Sequence, residues 1–80
     1  MGFYNQLFWV IKSKQLTTES VCNKLGLSRS FLSVMKSRGS VPKIDTCEKL
    51  YRVCGYTLCA VPNDMIHDEF IVIDTTSDKQ

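Results

Sequence analysis

The sequence predicts a mainly α-helical chain, four helices followed by a C-terminal two-stranded β-hairpin. Three observations carry this. Apolar residues recur at helical spacing from Phe3 to Cys54, Gly26 and Gly55 each stand just past the last apolar position of a periodic stretch, and beyond Gly55 the helical period gives way to two strand-length apolar runs. Eighty residues make one small domain, burying only about 60–65% of its unfolded surface, so a second subunit would add to a thin core. The divisions read as 1–55 for the helical body, 56–74 for the hairpin and 75–80 for a disordered tail.

In the first helix Phe3, Leu7, Val10 and Ile11 fall on one face, and the segment runs to about Lys14. Tyr4, Phe8 and Trp9 widen the apolar arc, which means either unusual burial or contact with another chain. The second helix starts in "LTTES", where Thr17 can cap the exposed amides and Glu19 suits the positive end of the helix dipole. Val21 and Leu25 face inward, and Gly26 stops the helix because only glycine enters the left-handed region without penalty. Leu27 turns in, and Ser28 can cap a third helix with Leu32 and Met35 on its inner side. In the fourth, "IDTCEKLYRVCGY", Ile44, Cys47, Leu50, Tyr51 and Cys54 share a face. The runs "YTLCAV" and "EFIVID", joined by "PNDMIHD", are rich in β-branched and aromatic residues. Both are apolar on both faces, so a hairpin made of them needs a cover on each side. The helices supply one, and a second copy of the chain is expected to supply the other.

Charge is segregated. Residues 12–52 hold nine of the ten Lys/Arg against Glu19, Asp45 and Glu48, a net of +6, whereas residues 53–80 have Lys79 against five acids, a net of −4. A basic body of this kind suits a polyanion. The four cysteines form no C-x-x-C pair and His67 stands alone, so no metal site and no cofactor is expected. Cys22, Cys47 and Cys54 fall on inner faces as small hydrophobes, and Cys59 alone is placed for redox chemistry. No signal-peptide pattern and no membrane-length apolar run is present, which points to a cytoplasmic protein with reduced thiols and no membrane partner. There is no glycine-rich phosphate loop and no elbow serine, so no catalytic residues are assigned and the chain is not read as an enzyme.

Two short helices joined by a glycine turn form a helix-turn-helix, whose second helix enters the DNA major groove. The twenty residues "TESVCNKLGLSRSFLSVMKS", Thr18 to Ser37, resemble the helix-turn-helix of the phage lambda repressor and Cro family (XRE-type). That family's apolar positions are filled by Val21, Leu25, Leu27, Leu32 and Met35, its small position by Cys22 and its turn glycine by Gly26. The apolar five form the wedge between the helices, and the small residue lets their backbones approach. The resemblance covers about residues 3–55 and does not extend to the hairpin. It departs at Cys22, where alanine is usual, and at Lys43, where a Ser or Thr cap is commoner.

The resemblance implies a sequence-specific regulator of transcription, repressor-like, binding double-stranded DNA with the helix from Arg29 in the major groove. Base contacts would fall to Arg29, Ser30, Ser33 and Val34. Arg29 can donate two bonds to guanine, and Val34 can rest on a thymine methyl. Phosphate contacts would come from Thr18, Ser28, Lys36, Ser37, Arg38 and Lys43. A homodimer on an inverted repeat is expected, joined through Cys59, Val61, Ile71 and Ile73 of the hairpin or through the first helix. The competing reading is a protein-binding module, an inhibitor or antitoxin-like adaptor, that keeps the helix-turn-helix as scaffold and meets its partner through the hairpin or acidic tail.

Overall fold

A computed structural model describes residues 1–78, leaving Lys79 and Gln80, the last of the expected tail, outside the described residues. Four helices form the body: α1 (Phe3–Ser13), α2 (Thr18–Lys24), α3 (Phe31–Ser37) and α4 (Ile44–Val53). A single 3-10 turn follows at Asn63–Met65. No helix among the described residues is long and apolar enough to cross a membrane.

Each helix ends in the same way, with the chain turning back on a left-handed residue and the next amide bonding into the last turn. At the end of α2, Gly26 (φ 70°) lets the Leu27 amide reach the Cys22 carbonyl at 2.9 Å. The same closure at the end of α1 uses Gln15 (φ 59°), with Leu16 N donating to Ile11 O at 3.0 Å. A side chain in that region costs about 1 kcal/mol, and the periodicity gave no sign of it.

The core is built from α1 outward. Phe3, Tyr4, Leu7, Val10 and Ile11 are buried against Val21 and Cys22 of α2, Leu32 of α3, and Cys47, Leu50 and Tyr51 of α4. Phe3 packs edge-on to Tyr4 (5.0 Å between centroids) and to Tyr51 (6.3 Å), so aromatic contacts tie α1 to α4. Tyr4 is thus wholly buried, whereas Trp9 is 60% exposed. Ile44, expected on the inner face of α4, is the first residue of that helix and is 78% exposed.

The expected hairpin does not form: the described residues contain no β-strand. Residues 56–61 and 69–74 carry no backbone ladder; the backbone bonds after Tyr56 are the local Met65 N to Pro62 O and Phe70 N to His67 O, and Phe3 N to Thr76 O. Each run instead packs by itself on the helical core through Tyr56, Leu58, Ile71 and Ile73. A side chain takes the place of the partner strand. Gln6 Nε2 donates to Val72 O (2.9 Å) and Gln6 Oε1 accepts from Asp74 N (2.7 Å), satisfying backbone groups that a ladder would otherwise have used.

The end of the chain is held as well. Asp78 accepts from the Tyr4 and Asn5 amides at 2.8 and 3.1 Å, and Thr76 O accepts from Phe3 N at 2.9 Å. These are free donors of the first turn of α1, so a carboxylate from the far end of the sequence caps it. Residues 75–78 of the expected free tail are therefore tied down. Gly2, at φ 151°, makes room for this: a Cβ there would collide with the Asp78 carboxylate.

Candidate nucleic-acid interface

The helix that leads into the bend, α2, is fixed at both ends by local chemistry. Thr17 and Ser20 cap α2 reciprocally, Ser20 N donating to Thr17 Oγ1 (3.1 Å) and Thr17 N to Ser20 Oγ (3.3 Å). The partner in this box is a serine, where Glu19 had been expected to help only through its charge. At the far end comes the Gly26 closure described above. Between the two helices Val21, Cys22 and Leu32 are fully buried, and Leu25, Leu27 and Met35 are half-buried. Of the seven positions of the twenty-residue pattern, six are thus at least half-buried and the seventh, Gly26, has the positive φ of the bend. Burial raises the Cys22 thiol pKa, and a backbone hydrogen bond at Leu32 opposes that rise, which places the small side chain against the backbone of α3.

α3 starts later than the sequence suggested. Its first residue is Phe31, and Arg29 and Ser30 lie in a turn ahead of it, closed by Phe31 N donating to Ser28 O at 3.0 Å. Ser28 thus contributes its carbonyl, and neither its hydroxyl nor that of Ser30 caps the helix. Arg29 and Ser30 remain exposed at the leading end of α3, and Ser33 and Val34 are exposed along its outer side. These four come to one outward-facing surface, opposite the buried Leu32.

The flanking polar residues are less uniform. Ser28, Arg38 and Lys43 are exposed, and Thr18 is half-buried in the first turn of α2. Lys36 lies back over α1, its Nζ 5.8 Å from the Phe8 ring centroid, a cation–π contact that holds the ammonium beside α3. Ser37 donates its hydroxyl to Val34 O at 2.8 Å, so it must turn away before it can donate to a phosphate. Among the described residues the one ion pair is Glu48 with Arg52 on α4. Arg29, Lys36, Arg38 and Lys43 therefore carry charge that no carboxylate of the described residues neutralises.

The four residues expected to join two copies divide. Ile71 and Ile73 are spent on the chain's own core, Val61 is half-buried and Cys59 is exposed. No group of His, Cys, Asp and Glu among the described residues is arranged to hold a metal ion. The sequence reading missed an apolar groove of about 770 Å³ between the C-terminal arm and α4. Its signal was present, in runs apolar on both faces, and had been read as strand pairing. No known protein family, curated protein or solved structure matches the chain.

Proposed function

We propose that this chain binds double-stranded DNA sequence-specifically and regulates transcription by occupying its site, with α3 in the major groove. One observation carries the reading: the outer side of α3, led by Arg29, is exposed and free of acidic neighbours in ion-pairing range, on an α2–α3 bend whose seven packing positions are filled as the helix-turn-helix pattern demands. In this reading Arg29 donates to guanine O6 and N7 from the turn, where its long side chain reaches ahead of the helix. Ser30 and Ser33 hydrogen-bond to base edges and Val34 meets a thymine methyl. Arg38 and Lys43 beyond the helix, Lys36 beside it, and Thr18 and Ser28 before it hold the phosphates on either side.

Two copies on an inverted repeat would set their α3 helices about 34–36 Å apart. With Ile71 and Ile73 taken by the core, α1 is the better candidate for contact between copies, since it carries the exposed Trp9. Selection of bound duplexes from a random pool tests the whole reading. The expected result is a short consensus repeated with two-fold symmetry; a pool that stays unenriched, with no salt-sensitive binding even to mixed DNA, refutes it.

A further inference from the structure

The apolar groove shares no residue with the proposed DNA surface. Its floor includes Cys47 and Tyr51 of α4, and its walls Leu58, Val61, Phe70 and Val72 of the arm. Val72 is 64% exposed and Phe70 41%, an unusual amount of apolar surface for so small a chain to leave in one place. Most of the amides beside it are unused: among the described residues, none from Thr57 to Val61, nor those of Ile71 and Val72, makes a hydrogen bond, while the Val72 carbonyl is taken by Gln6. Non-helical backbone with free amides is what an added strand pairs with, and a helix could not use those groups.

Charge selects among possible occupants. Residues 53–78 contain five carboxylates and no Lys or Arg. Asp74 and Asp78 are engaged with Thr76 and with α1, but Asp64, Asp68 and Glu69 are exposed without an ion-pair partner among the described residues. Glu69 lines the groove, and Asp64 lines a smaller hollow that shares Val61, Ile66 and Phe70 with it. Pairing two arms about a two-fold axis would bring the acidic stretches of the two copies together with no Lys or Arg of either arm between them among the described residues, which opposes self-association there. We propose that the groove docks an extended, apolar peptide segment of a partner protein, flanked by lysine or arginine, added as a strand along the arm. This goes beyond the DNA-binding reading and does not rest on it.

The test uses the full chain and two labelled peptides of alternating valine and threonine, one flanked at each end by two lysines and the other by two glutamates. General attraction to a chain of net charge +2 favours the glutamate peptide, so the opposite preference has to come from the arm. The lysine peptide is expected to bind at least tenfold tighter. It should also slow alkylation of Cys59, which lines the groove and is exposed, by threefold or more. Val72→Asp, at a position 64% exposed, should weaken peptide binding tenfold and leave DNA binding at physiological salt unchanged. Absent or equal binding of the two peptides, unchanged alkylation of Cys59, or a dimer in sedimentation that Val72→Asp dissociates, each overturns the proposal.

Discussion

Arg29 stands on the turn before α3, so its reach to a base depends on a long side chain leaving an exposed backbone position, with no neighbouring carboxylate among the described residues to hold it back. Replacing it with alanine removes the only bidentate donor on that surface. Arg29→Ala is expected to weaken the selected site by about 1–3 kcal/mol and to relax preference at one base pair, with mixed DNA losing far less. Equal losses on both, measured by titration at one salt concentration, would reduce Arg29 to a phosphate contact. The thiols give a second test at this scale. Burial pushes the Cys22, Cys47 and Cys54 thiols up, with Lys14 opposing the rise at Cys54, whereas Cys59 is exposed. A thiolate is the reactive form, so a chromogenic disulfide reagent should find one fast thiol per native chain and four after denaturation. Two or more fast thiols at neutral pH would mean that the inner faces of α2 or α4 open readily.

At the scale of elements, the helices were readable because their determinants are local. Thr17, the apolar spacing of Val21, Leu25, Leu32 and Met35, and Gly26 each act within a turn or two of their own position. The arm was not readable for the opposite reason: β propensity in 56–61 and 69–74 reports a fit to a half-buried surface, and the surface offered here is the helical core and a glutamine side chain rather than a neighbouring strand. Nothing about Gln6 in the sequence distinguishes it from a solvated glutamine. The start of α3 was placed two residues early, because Ser28 looks like a cap and spends its carbonyl instead, which leaves Arg29 and Ser30 exposed ahead of the helix. Asp78 was likewise assigned to a tail, although its carboxylate accepts from two amides of α1. Asp78→Ala is expected to cost about 1–2 kcal/mol, as loss of a helix cap does. Thermal unfolding measures this directly. A melting temperature unchanged by the substitution would show that α1 does not need the arm to begin. Gly2→Ala should cost at least as much, since its Cβ meets Asp78 and the backbone there favours glycine.

At the scale of the whole molecule, the two halves of the charge distribution act over different distances. The acids of the arm and the cations around α3 both sit on a body 38 × 28 × 22 Å across, more than twice the roughly 8–10 Å over which salt at physiological strength screens them. Each half therefore meets its own surroundings nearly independently, and the small net charge of +2 conceals a surface able to hold a polyanion. If Lys36, Arg38 and Lys43 each neutralise one phosphate, log K for mixed duplex DNA should fall against log salt with a slope of about −2.7 per chain, roughly a forty-fold loss between 50 and 200 mM. Arg38→Ala, exposed and unpaired among the described residues, should reduce that slope by about 0.9 while leaving the ranking of sequences intact. Neutralising Asp64, Asp68 and Glu69 together should raise affinity at low salt and make little difference at 200 mM, a slight steepening of the slope where Arg38→Ala flattens it. A slope that moves with the arm and not with Arg38 would place the polyanion on the wrong side of the molecule.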